Sequence, residues 1–147
     1  MSKMSNYLES ALAKHILMGD EFSKPGEIAI ALTSGVPQDS DDGSTIPEIP
    51  LTINGSGTGY ARVSLDDPAT SGDSRWVELS GVASIDGNVT FGTALLDWGW
   101  VSGIAILDNS AHGSGNLLFY AQLTNPRIMY TGDGPRINDD ALSITFK

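Results

Sequence analysis

The chain has 147 residues, with 18 Asp and Glu against 8 Lys and Arg, a net charge of −10 and no cysteine. That length suits a single domain, 1–147, able to take about 68–70% of the unfolded chain's surface out of water. The absent thiols exclude disulfides, thiolate metal ligands and cysteine nucleophiles, and the acidic balance repels the phosphate backbone that supplies most nucleic-acid affinity.

The first 22 residues, "MSKMSNYLESALAKHILMGDEF", read as an arm and a helix. Asn6 is the expected cap, with Glu9 three residues on; Leu8, Ala11, Leu12, His15 and Ile16 recur at helical spacing, and Gly19 offers a stop. Glu9, Lys14 and His15 interrupt any apolar run that a signal peptide needs, and nothing longer approaches a membrane span. The expectation is a soluble protein with no export address and no membrane partner.

From residue 23 a β body is expected. In "EIAIAL" the period becomes two: Ile28, Ile30 and Leu32 share one face, and the small Ala29 and Ala31 share the other. Residues 34–58, rich in Ser, Gly, Pro, Asp and Thr, read as a long loop, functional or mobile. Strands are then expected at "YARVSL", "RWVELSG", "VTFG", "VSGIAIL", "NLLFYAQL" and "LSITF", divided by turn signals. Leu117, Phe119, Ala121 and Leu123 form one predicted inward row, and Leu142, Ile144 and Phe146 another. The fold class is mainly β, an antiparallel β-sandwich or barrel of jelly-roll kind with one N-terminal α-helix. No repeat, heptad run or collagen triplet encodes an extended shaft.

Few residues offer chemistry. His112 stands in the glycine-rich "DNSAHGSGN" with Asp108 upstream, but a triad needs its groups on separate rigid elements, and no G-x-S-x-G elbow is present. "GSGTGY", 55–60, resembles a phosphate loop yet runs on into the strand "YARVSLDDP" rather than a helix, so a flexible hinge is the better reading. "DSDDGS", 39–44, fails the calcium-loop spacing, since counted from Asp39 the glycine is fifth and the twelfth residue is Pro50. Asn54-Gly55-Ser56 and Asn88-Val89-Thr90 match the glycosylation string by chance. Trp98 and Trp100 flank Gly99 and, if extended, point to one side, where they suit a core or subunit contact better than a sugar platform. No enzyme activity, cofactor or metal is expected.

Taken in order, "SNYLESALAKHIL", "IAIALTSGVP", "GTGYARVSL", "VTFGTALLDWGWVSGIAILDNSAHGSGNLLFYAQL" and "GDGPRINDDALSITF" resemble a family of small virion proteins of tailed bacteriophages, often labelled tail-fibre-like. The likeness runs from Ser5 to the C-terminus, and the GYAR string with the aromatic-then-hairpin unit is its most specific part. One departure falls at Pro135 and "INDDA", where the family has a glycine-containing turn. The resemblance implies a non-enzymatic structural role on a phage particle, assembled in the host cytoplasm, and carries over no catalytic residues.

Within that role, compactness, acidity and the missing shaft suit a capsid decoration or cement protein that binds the major capsid protein and copies of itself at capsomer junctions. The alternatives are a tail-fibre-associated or receptor-binding module, using loops 36–58 and 108–115, and a carbohydrate-binding β-sandwich. The candidate subunit contacts are Tyr7, Leu8, Leu12, Ile16, Trp98 and Trp100, with the N-terminal arm or helix clamped by a neighbouring subunit.

Overall fold

The computed structural model describes residues 3–65 and 75–146. In chain order these form β1 (Lys3–Met4), α1 (Asn6–Ala13) continuing into a π-helical turn (Lys14–Met18), β2 (Ile28–Thr33), β3 (Thr52–Ile53), β4 (Ser56–Gly57) and β5 (Val63–Leu65). There follow β6 (Trp76–Leu79), β7 (Val82–Ile85), β8 (Val89–Thr90), β9 (Gly99–Leu107), β10 (Leu117–Met129), β11 (Arg136–Ile137) and β12 (Ser143–Thr145). Among the described residues all pairings of these strands are antiparallel. The main sheet has the order β1-β10-β9-β2-β5, and the smaller groups are β12-β7-β6, β11-β8 and the hairpin β3-β4. Among the described residues the fold is thus mainly β with one helix, and the sheets form an open sandwich rather than the barrel that periodicity left open.

The main sheet is buried on both faces because its two central strands carry apolar side chains on each side. Ile30 and Leu32 on β2 and Val101, Ile104 and Ile106 on β9 pack with Ile85, Val89, Phe91, Leu142 and Ile144 from the second layer. On the reverse face Ala31, Ala105, Leu107, Leu117 and Tyr120 pack with Ile46. The small alanines permit the close cover that the sequence indicated.

That cover is the 34–58 segment, which is anchored rather than mobile. Ile46 is buried on this face, while Ile49 is buried in the main core; Ser34 N donates to Pro47 O at 2.8 Å, Ile49 N to Leu32 O at 3.2 Å and Gly43 N to Gly115 O at 2.8 Å. The expected hinge "GSGTGY" begins instead in a hairpin: Asn54 and Gly55, at φ 51° and 80°, make the two-residue turn between β3 and β4, the conformation an Asn-Gly pair favours, and Ser56–Gly57 form β4.

Several local readings are corrected by backbone geometry. Ser5, not Asn6, caps α1: its Oγ accepts from Leu8 N at 3.2 Å and donates to Leu117 O. Gly19, at φ 78°, ends the helical segment as expected. The described part of the arm pairs within its own chain, β1 to β10 through Lys3↔Tyr120 and Met4↔Phe119. On β10 the pairs Leu117↔Leu107 and Phe119↔Ile106 leave Leu118 as an extra residue. This bulge turns Leu117 to the opposite face from Phe119, Ala121 and Leu123, breaking the predicted row.

"YARVSL" pairs only over Val63–Leu65, and its continuation into residues 66–68 lies outside the described residues. "RWVELSG" is the first half of a hairpin whose partner β7 went unread; Ser80 and Gly81, at φ 55° and 83°, form its turn. Leu142 and Ile144 point inward as expected, while Phe146 is half exposed, edge-on to Phe119 at 5.9 Å. The departure at Pro135 leads into the short β11, and the turn to β12 passes through Asp140 at φ 57°.

Candidate functional site

The GYAR string lies at the centre of the loop-bearing end. Gly59 adopts φ 77° with its Cα against Thr93 O, where a Cβ would sit 2.4 Å from that oxygen. This turn aims Tyr60 and Arg62 inward. Both are nearly fully buried, at 4% and 7% exposure.

Arg62 uses all five of its N–H donors. Nε donates to Glu48 Oε1 at 2.8 Å and Nη2 to Glu48 Oε2 at 2.8 Å. Nη2 also donates to Gly43 O at 3.0 Å, and Nη1 donates to Asn109 O at 2.8 Å and Ser114 O at 2.7 Å. One guanidinium therefore ties the 43–48 segment to both sides of the 108–116 turn. Gly43 is required at the junction, because a Cβ there would lie 1.8 Å from Ser114 O. Tyr60 Oη donates to Glu48 Oε1 at 2.7 Å and accepts from Leu32 N at 3.1 Å. Burial, with the adjacent Glu48 charge, pushes its phenol far above the ordinary tyrosine range.

The suspected catalytic and cation-binding groups are occupied in the same way. His112 Nε2 donates to Ile49 O at 3.0 Å, and its ring stands edge-on to Tyr60 at 6.2 Å. Its nearest carboxylate is Glu48, at 3.7 Å, already held by Arg62. Asp108 instead accepts from Asn116 N at 2.6 Å and Asn116 Nδ2 at 2.8 Å, so the structure does not bring Asp108 and His112 together. Asp42 Oδ1 accepts from Ser44 N at 2.8 Å and Ser44 Oγ at 2.6 Å, bonds that lower its pKa. Asp41 Oδ2 accepts from Gln38 N at 2.8 Å, and Asp39 accepts from Tyr120 Oη. Asp41 and Asp42 close turns, and Asp39 ties its loop to β10. Among the described residues no group of three or more His, Asp or Glu converges on a metal position.

The six candidate contact residues divide by exposure. Trp98 is buried, its Nε1 donating to Thr58 O at 2.8 Å and its ring edge-on to Tyr60 at 5.5 Å. Trp100 is 55% exposed. The two do not share a side because Gly99, at φ 76°, breaks the extended alternation between them. Leu8 is buried and Leu12 half-buried, whereas Tyr7 and Ile16 are exposed. Leu8 and Trp98 are thus core residues, a correction to their reading as subunit contacts. Leu17 and Met18, which the helical stripe left aside, are exposed at 81% and 71%: the π-helical turn carries Ile16, Leu17 and Met18 outward together.

The Arg62–Glu48 cluster escaped the sequence reading because its parts come from four distant segments. A signal was present nonetheless: Arg62 stands two residues from Tyr60 in an expected extended run flanked by apolar residues, a spacing that places both side chains on one face.

The protein is a β-sandwich that holds the polar side chains of its loop end in internal hydrogen bonds and leaves large apolar side chains on its surface. The chain matches the family described as podophage GP4 fiber I protein gp80 over residues 3–145, and it belongs to that family. It is a phage virion structural protein of tail-fibre-like kind. No curated protein matches it. Among the described residues no helix is long and apolar enough to cross a membrane.

Proposed function

We propose that this protein is a non-catalytic component of the fibre apparatus of the virion, acting by adhesion between subunits. The observation that carries the reading is the family match across residues 3–145 to a fibre protein. The geometry supports it. The conspicuous polar residues of the loop end, Glu48, Tyr60, Arg62, Asp108 and His112, are engaged in fixing backbone, and large apolar side chains such as Ile16, Leu17, Leu95 and Trp100 stand in solvent. Such surface suits contact with copies of itself and with neighbouring virion proteins. Tyr7, Ile16 and Trp100 are the contact residues retained from the sequence.

Head decoration, with the major capsid protein as partner, is the second reading, favoured by the net charge of −10 and the absence of any shaft repeat. Copy number separates the two. Quantitative mass spectrometry of purified particles, with gold-labelled antibody in electron microscopy, is expected to find few copies, at the tail. Hundreds of copies distributed over the head would replace the fibre reading with the decoration one.

A further inference from the structure

We infer that copies of this chain associate head to tail, the helical tip of one seating in a groove on the next. The tip is the π-helical turn together with the two acids after Gly19. Ile16, Leu17 and Met18 are 73%, 81% and 71% exposed, and the carboxylates of Asp20 and Glu21 are exposed beside them, with Lys14 at the start of the turn offsetting one of the two charges. An apolar triplet so exposed, next to two acids, is a ligand in search of an apolar floor with a basic rim.

The same chain carries that receptor. On β10 the pairs Gln122↔Gly103 and Arg127↔Val101 leave the residues from Leu123 to Pro126 opposite Ser102 alone. Strand pairing is interrupted there, and Pro126 has no N–H with which to restore it. Beside this break lies a groove of about 550 Å³ between β10 and the segment leading into β11, within the roughly 300–1,000 Å³ typical of ligand sites. Its apolar lining includes Leu32, Phe91, Val101 and Met129. Arg127 and Arg136, two of the eight basic residues of the chain, also line it and are exposed. Arg136 Nε donates to Asn138 Oδ1 at 3.0 Å, and the one carboxylate of the lining, Asp133, accepts from Tyr130 N at 2.8 Å. In a molecule of net charge −10, a paired basic rim over apolar floor selects an acidic, apolar segment.

The occupant is a second copy because the complementary segment is this chain's own and is unfilled within it: none of residues 3–22 lines the groove. Two different patches meeting make a heterologous contact, which closes into a ring or extends as a filament. The inference holds whether the copies sit at the tail or on the head.

Sedimentation velocity of the full chain over a concentration series tests it. The wild type is expected to grow beyond a dimer with concentration, and less so at high salt. A tip variant, Leu17→Asp with Met18→Asp, and a groove variant, Arg127→Glu with Arg136→Glu, should each weaken self-association at least tenfold. Mixed together they should form a one-to-one dimer and stop, since one supplies an intact groove and the other an intact tip. All four side chains are exposed, so circular dichroism should show wild-type folding; Leu17→Ser and Arg127→Gln replace any variant that unfolds. A wild type that stays monomeric, self-association unaffected by either variant, or a mixture that forms no dimer would overturn the inference.

Discussion

The Arg62 guanidinium and the Glu48 carboxylate meet through two parallel hydrogen bonds of 2.8 Å, with side-chain exposures of 0% and 3%. Fourteen residues apart in sequence, they join the strand that begins after GYAR to the segment covering the reverse face of the main sheet. A buried pair is weak support for net stability, because both charges lose water, yet removing one partner strands the other. Here the arginine also serves three carbonyls, those of Gly43, Asn109 and Ser114, so its loss leaves three neutral acceptors unmatched as well as the Glu48 charge.

Arg62→Met is therefore expected to destabilise the fold by about 3–5 kcal/mol, read by urea denaturation. The decisive comparison is the double variant Arg62→Met with Glu48→Leu. If only the ion pair mattered, an apolar replacement of both partners would come out near neutral. The three orphaned carbonyls instead predict that most of the loss persists, each buried unpaired group costing about 1–3 kcal/mol. Full recovery in the double variant would show that the carbonyl contacts contribute little.

Trp98 and Trp100 are expected to separate sharply despite lying two residues apart. Trp98→Ala removes a buried ring and its bond to Thr58 O, costing about 3–5 kcal/mol. Trp100→Ala, at an exposed position, should leave the stability of the isolated chain within about 0.5 kcal/mol. Thermal melting of both variants measures the contrast. Equal losses would show that Gly99 does not divide the two rings between core and surface.

Much of the body was legible because burial writes itself as period two. The alternation in "EIAIAL" named both faces of β2 correctly: Ile30 and Leu32 pack on one side and Ala31 on the other. The same logic failed at Leu117, since a bulge at Leu118 is set by the pairing partner on β9 and leaves no mark in local hydrophobicity. It failed at Trp98 and Trp100 because extension was assumed across a glycine that adopts φ 76°. It failed at 34–58 because a covering segment without periodicity is held by scattered backbone bonds and two isoleucines. Arg62 was hidden for a different reason: charge reads as surface until a tertiary partner is known.

Alkaline pH should unfold the protein through its two buried phenols. Burial and the adjacent Asp39 push Tyr120 up to about 12 from an unfolded value of 10.0, and burial beside Glu48 raises Tyr60 further. A raised folded pKa means that the native state keeps its proton while the unfolded state begins to release it. The contribution is thus complete below about pH 10 and is lost progressively as pH rises through 12. Denaturation midpoints measured across the alkaline range should fall once the unfolded phenols ionise. Tyr120→Phe and Tyr60→Phe should each flatten that decline, and the part of the phenolate absorbance that these two substitutions remove should appear together with unfolding. Ionisation of Tyr60 and Tyr120 near pH 10 in the folded chain would contradict this.

Thr33 offers the opposite kind of test, a substitution expected to help. Its side chain is fully buried on the central strand β2, and among the described residues its Oγ1 is a buried polar atom with no hydrogen-bond partner. A stranded hydroxyl of this kind costs about 1–3 kcal/mol relative to a paired one. Thr33→Val keeps the branched shape and the preference for extended backbone while deleting the unmatched group. It is expected to stabilise the chain by about 1 kcal/mol, raising the melting temperature by roughly 2–4 °C. Thr33→Ser keeps the hydroxyl and loses the methyl, and should destabilise by a comparable amount. The hydroxyl faces Gly103 on β9, where a Cβ would lie 2.5 Å from it, so only a glycine fits opposite this side chain. If Val destabilises while Ser is tolerated, the hydroxyl has a partner after all, and β2 is held to β9 by a polar contact rather than by apolar packing alone.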